Sequence, residues 1–231
     1  MNLRPTTYDL RPKLILALDV DTCQEARHWV KLLYPEVKIF KVGLQLFTAC
    51  GPKIIEFIRK KGAEVFLDLK FHDIPNTAAC ATRQAARLKV KMLTLHTSGG
   101  LEMLKKSACA AREEAKKLRV KPPLLLGVTV LTSDSKTENT AAVVLARACL
   151  AKEAGLDGAV CSVDEAAIVR KACGRDFIIV TPGIRPKGAS AGDQKRIATA
   201  SAAVSSGANY LVVGRPILEA EDPLRAAREL W

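Results

Sequence analysis

Short apolar runs alternate along this chain with longer stretches in which apolar residues recur every three or four positions. The runs are LILALDVD, VKIFKVGL, AEVFLDLKF, VKMLTLH, LLLGVTVLT, LDGAVCS, DFIIVTPG and ANYLVVGR. They are β-rich and nearly all apolar, as expected of parallel strands covered on both faces. The stretches between them, such as CQEARHWVKLLY and SACAAREEAKKL, have helical periodicity. Eight strand–helix units predict an α/β fold of the (β/α)8 TIM-barrel type. The competitor is a doubly wound open sheet, and the lack of a GxGxxG after the first run counts against it. We find no linker, so residues 1–231 read as a single domain, with residues 1–12 as an N-terminal arm.

The runs end in polar residues. Asp19, Lys41, Asp68, Lys70, His96, Thr132, Thr181 and Arg215 all fall near the C-terminal ends of predicted strands. That is the end at which β/α barrels carry their active sites. Many ionisable groups at one end of a closed barrel would be costly without a ligand. The densest cluster is VFLDLKFHD, residues 65–73. Asp68 and Lys70 are two apart on a strand and so share a face. Asp19 and Lys41 end the first and second runs, which makes them barrel neighbours. Opposite charges side by side favour the ionised form of both, and an ammonium so held can serve as a general acid. For Asp68 and Lys70 alone, a salt-bridge cluster capping the barrel is an equal reading. With Asp19 and Lys41 beside them, function is favoured.

Composition narrows this little. The chain is 48% hydrophobic and 26% charged, which suits a core and argues against disorder. No apolar run approaches a membrane span, and the N-terminus lacks the apolar centre of a signal peptide. The net charge of +12 is compatible with an anionic, phosphorylated substrate. It comes without the aromatic-interleaved basic block that stacks on nucleic acid. Seven cysteines are scattered and never spaced as CxxC. They read as small, mostly buried apolar side chains in a reducing cytoplasm, with no zinc site or disulfide framework.

Two further segments suggest phosphate chemistry. VVGRPI puts Gly214 and Arg215 at the end of the eighth run. Glycine lets the backbone approach an oxyanion, and a guanidinium can grip phosphate bidentately. TPGIRPKGASAGDQKR, residues 181–196, is too polar for core. It reads either as a solvated loop or as a lid, with Gly183, Gly188 and Gly192 as hinges.

The motif Asp68-Leu-Lys70-Phe-His-Asp73, continuing into IPNT, resembles the DxKxxD signature of the orotidine 5′-monophosphate decarboxylase family in its monofunctional bacterial form. LALDVD, KVG, GVTVLTS, TPGIRP, GDQKR and VVGRPI match the same family in order, from about residue 14 to about residue 223. The resemblance implies decarboxylation of orotidine 5′-monophosphate to UMP in pyrimidine biosynthesis. It implies Lys70 as donor of the proton to C6, and Asp68 against the departing carboxylate. Asp19 and Lys41 would bind ribose hydroxyls, and Lys41 would join the charged network. Thr132 would lie near the pyrimidine edge, although a turn or capping role is its other reading. Gln194 would bridge phosphate and pyrimidine, Arg185 would belong to the same loop system, and Gly214 and Arg215 would hold phosphate. Asp73 and Thr77 would reach the neighbouring active site of a homodimer. The resemblance implies no metal and no organic cofactor. His72, His96 and His28 are expected to be structural or surface residues, and Trp29 and Trp231 to pack.

Sister barrels with the same DxKxxD motif use Mg2+ to stabilise an enediolate. They typically carry an acidic residue where this chain has Lys41, in FKVG, so that position argues against them. A non-catalytic phosphate-binding barrel could dispense with the charged array, which is intact here.

Overall fold

The computed structural model describes residues 13–131, 139–185 and 198–230. Eight parallel strands close into a barrel in sequential order. They are β1 (Lys13–Ala17), β2 (Ile39–Gly43), β3 (Glu64–Phe71), β4 (Met92–His96), β5 (Leu124–Val128), β6 (Gly158–Val160), β7 (Ile178–Thr181) and β8 (Tyr210–Val213). Every predicted run overlaps one of them. The closing pair is β1 with β8, Leu14 facing Leu211 and Leu16 facing Val213.

The helices are α1 (Cys23–Leu33), α2 (Leu44–Cys50), α3 (Lys53–Lys60), α4 (Pro75–Arg87), α5 (Gly100–Leu118), α6 (Thr140–Glu153), α7 (Val163–Cys173), α8 (Ala200–Ser205), α9 (Arg215–Leu218) and α10 (Pro223–Arg228). Local chemistry sets their limits. Thr22 caps α1 by accepting from the Glu25 amide at 3.1 Å. One stripe of α1, Ala26, Val30 and Leu33, is buried against the barrel. Gly51, at φ 59°, and Pro52 separate α2 from α3. Pro75 opens α4 at its first turn, where a missing N–H costs nothing.

Strand alternation divides the core in two. Ile15, Ala17, Ile39, Phe66, Met92, Leu126, Val180, Tyr210 and Val212 point inward and fill the barrel. The alternate residues, among them Leu16, Phe40, Leu67, Leu93 and Ile179, face the helices. The interior is therefore solid, and a ligand can enter only at an end.

The cysteines depart from expectation. Cys23, at the start of α1, and Cys50, at the end of α2, form a disulfide with their Cα atoms 5.6 Å apart. Of the unlinked thiols, Cys161 and Cys173 are buried, but Cys80, Cys109 and Cys149 are exposed. The reading of seven unlinked and mostly buried thiols is corrected on both counts. A disulfide needs only proximity in the fold. The packing of α1 against α2 brings together two residues 27 apart in sequence. Trp29 packs against the core as expected, and His28 is exposed beside it. The N-terminal arm and Trp231 lie outside the described residues.

Candidate active site

The inward-facing positions turn polar one step beyond the apolar plug. On β2, Lys41 follows Ile39, and on β3, Asp68 follows Phe66. On β4, Thr94 follows Met92. Past the end of β1, Asp19 continues the Ile15 and Ala17 face. Asp19, Lys41 and Asp68 line a cavity of about 410 Å3 at the C-terminal mouth, a size that suits a small-molecule ligand, with Thr94 buried behind them. Its floor includes Ala17, Phe66, Val128 and Val160.

The charges alternate in one line. The Lys41 ammonium lies 2.9 Å from Asp19 Oδ1 and 3.8 Å from Asp68 Oδ2. Asp68 Oδ2 accepts from Lys70 Nζ at 3.0 Å. The other Asp68 oxygen accepts from the Thr94 hydroxyl at 3.0 Å. Full partnering of this kind lets charges persist where water is scarce. The Asp68 and Lys41 side chains are 12% and 11% exposed, while Lys70 is 34% exposed and Asp19 57%. The array is thus anchored in the barrel at its centre and open to a ligand at both ends. Glycine makes room for it. A Cβ at Gly43 would sit 3.2 Å from Lys41 Nζ and 3.7 Å from Asp19 Oδ1.

Asp68 and Lys70 meet as expected, but not by simple alternation. The register of β3 against β4 shifts between Leu67 and Phe71. Within that bulge Lys70 takes φ 49°, in the left-handed region. Its amide donates to Thr94 Oγ1 at 2.9 Å.

Asp19, Lys41, Asp68, Lys70, Arg185, Gly214 and Arg215 all line the cavity. Gly214 follows β8, and Arg215 opens the short helix α9. Arg185 is buried and donates to the Ile184 carbonyl at 3.1 Å. Gly183 also lines the cavity and has φ 75°. Asp73 and Thr77 do not line it; both are exposed, and Asp73 Oδ1 accepts from the Ile74 amide at 2.6 Å. Thr132 and Gln194, with the proposed hinges Gly188 and Gly192, lie outside the described residues.

Two residues of the polar set at the strand ends do not line the cavity. Thr181 follows Val180, which faces inward, so its side chain faces the helices and is wholly buried. His96 stacks on His72 with ring centroids 5.4 Å apart, and its Nδ1 accepts from the Ser98 amide at 3.3 Å. Thr94 and Gly43 were not singled out from sequence. The available signal was a lone Thr between leucines in MLTLH. Among the described residues, no group of three or more His, Cys, Asp or Glu side chains is placed to hold a metal ion.

Residues 12–230 match the family described as "Orotidine 5′-phosphate decarboxylase / HUMPS family". The orotidine 5′-phosphate decarboxylase of Syntrophotalea carbinolica is 51% identical over 231 residues, spanning 96% of this chain and 94% of the relative. That of Pelobacter propionicus is 50% identical over 227 residues, spanning 94% and 93%. The crystal structure of orotidine 5′-phosphate decarboxylase from Lactobacillus acidophilus is similar at a TM-score of 0.83 and 35% identity, covering 95% of this chain and 97% of that one. A closed eight-stranded barrel, an alternating charged array in its mouth and a match along nearly the whole sequence agree: this chain belongs to the orotidine 5′-phosphate decarboxylase / HUMPS family.

Proposed function

We propose that this chain decarboxylates orotidine 5′-monophosphate to UMP, the last step of UMP synthesis. The observation that carries the reading is the Asp19–Lys41–Asp68–Lys70 array at the barrel mouth. Asp68, already fixed by Thr94 and Lys70, stands against the substrate carboxylate and raises the free energy of the bound ground state. The bond from C6 to the carboxylate breaks, CO2 leaves, and the electron pair stays on C6. The Lys70 ammonium stabilises that carbanion and gives it a proton. Solvent then reprotonates the lysine. Asp19 and Lys41 bind ribose hydroxyls.

Arg215, the Gly214 backbone and the loop system of Arg185 take the phosphate, and Gln194 bridges from phosphate to pyrimidine. Thr132 meets the pyrimidine edge. Phosphate contacts lie far from C6, so their binding free energy can be used at the reacting carbon. Asp73 and Thr77, exposed and away from their own cavity, serve the site of a second copy in a homodimer.

The reaction needs neither metal nor organic cofactor. An ammonium at Lys41, 3.8 Å from Asp68, repels a divalent cation at the place where the Mg2+-dependent sister barrels carry an acid. We take the chain as one domain working in the cytoplasm, where its nucleotide substrate is made. The Cys23–Cys50 disulfide is the feature that argues the other way.

The test is the ultraviolet absorbance of orotidine 5′-monophosphate incubated with purified protein in EDTA. Decay with formation of UMP is expected. A stable absorbance, or a decay that appears only with added Mg2+, overturns the reading.

A further inference from the structure

Thr94 is wholly buried on the inner face of β4 and does not line the cavity. Its hydroxyl nevertheless joins two parts of the charged array. It accepts from the Lys70 amide at 2.9 Å and donates to Asp68 Oδ1 at 3.0 Å. The direction follows from proton count. The amide can only donate and the carboxylate only accept, so the single hydroxyl hydrogen must point at Asp68.

The bulge explains why such a residue is needed. Between Leu67 and Phe71, β3 advances four residues while β4 advances two, from Leu93 to Leu95. The Lys70 amide is thereby detached from the strand ladder. A left-handed backbone also strains a residue that carries a Cβ. Without the Thr94 hydroxyl, the half-buried amide would lose its acceptor at this strained position, a further cost. The same hydroxyl stops the Asp68 carboxylate from rotating, which leaves Oδ2 facing Lys70 at 3.0 Å and Lys41 at 3.8 Å.

We propose that Thr94 is a positioning residue for the proton donor: one hydroxyl, outside the cavity, sets both the Lys70 backbone and the Asp68 carboxylate against which the Lys70 ammonium is aimed. This rests on the decarboxylase reading for its catalytic consequence, but the hydrogen-bond bridge itself does not.

The test compares Thr94→Val, which keeps the shape and removes the hydroxyl, with Thr94→Ser, which keeps the hydroxyl. Misplacing a reacting group by about 1 Å can cost roughly 100-fold in rate, so Thr94→Val is expected to lose on the order of 100-fold in kcat. KM should stay within about threefold, since no substrate contact is removed. Exchange of the UMP C6 hydrogen in D2O should slow in parallel. Thr94→Ser should keep kcat within about tenfold of the parent.

Amide hydrogen exchange at Lys70 provides a readout that does not need turnover. Protection should fall in Thr94→Val and persist in Thr94→Ser. Unchanged kcat in Thr94→Val overturns the proposal. So does a kcat loss in Thr94→Ser as large as in Thr94→Val, or equal Lys70 protection in both variants. If Thr94→Val does not fold, Thr94→Ser decides alone: retained kcat and retained Lys70 protection support the bridge, and loss of either refutes it. Failure of the parent protein to decarboxylate would remove the decarboxylase reading and leave the exchange comparison to judge the bridge.

Discussion

Lys70 and Arg215 line one cavity, and the proposed reaction gives them different work. The Lys70 ammonium is held by Asp68 at 3.0 Å and its side chain is 34% exposed, so it can meet a ligand while staying aimed. Arg215 follows Gly214 at the end of β8 and is exposed. A proton donor acts in the transition state, whereas a phosphate clamp acts before and throughout. Lys70→Ala should therefore abolish turnover and leave UMP binding measurable by calorimetry. Arg215→Ala should keep the chemistry but bind more weakly. Loss of a charged hydrogen bond is worth about 1.5–3 kcal/mol, so kcat/KM should fall roughly 10- to 100-fold. Near-normal kcat in the lysine variant, or unchanged kcat/KM in the arginine variant, would remove that residue from its role. Both residues were legible in sequence because their type and their position at a strand end coincide. Gly43 was not. Its importance lies in the space left for Lys41 Nζ, which is a relation between neighbours on a closed barrel.

Among the elements, α4 and α5 form the most extensive helix pair on the barrel's outside. A carboxylate sits in the seam. Glu114 on α5 is buried, and Arg87 on α4 donates to it from Nε at 2.7 Å, with Arg83 Nε at 3.9 Å. The Arg87 hydrogen bond lowers the Glu114 pKa against the opposing effect of burial. A carboxyl whose folded pKa is depressed adds stability above its unfolded pKa, near 4, and loses it as pH falls through the lower folded value. The parent should thus exceed Glu114→Gln in urea midpoint at neutral pH, and the gap should shrink as pH falls below the unfolded value and the glutamate takes up its proton. A gap of constant size would show that the ion pair does not carry it.

The strands at this scale were plain in the sequence, since runs buried on both faces need no partner to be recognised. The bulge at Lys70 was hidden because it is a mismatch between β3 and β4. The Cys23–Cys50 link was hidden because it depends on how α1 and α2 pack. Thr94 was hidden for both reasons: its role exists only once the bulge and Asp68 are in place.

For the molecule as a whole, the outstanding question is where Asp73 acts. It belongs to the motif that supplies Asp68 and Lys70, yet it is exposed and does not line the cavity they share. Ile74, beside it, is 67% exposed, and Leu44, the first residue of α2, is 59% exposed. Large apolar side chains left open near a charged site suit a surface that a second copy covers. If a two-fold dimer lends Asp73 across that surface, each site is built from two chains. Lys70→Ala and Asp73→Ala homodimers should then both be inactive. Mixed dimers would hold one doubly damaged site and one intact site. Random reassortment of equal amounts places half of the chains in mixed dimers, so activity should return to about a quarter of the parent level. The measurement is decarboxylation before and after the two variants are unfolded together and refolded, with each variant refolded alone as control. Recovery only in the mixture establishes sharing. A mixture as inactive as its components, in dimers of normal size, would confine Asp73 to its own chain.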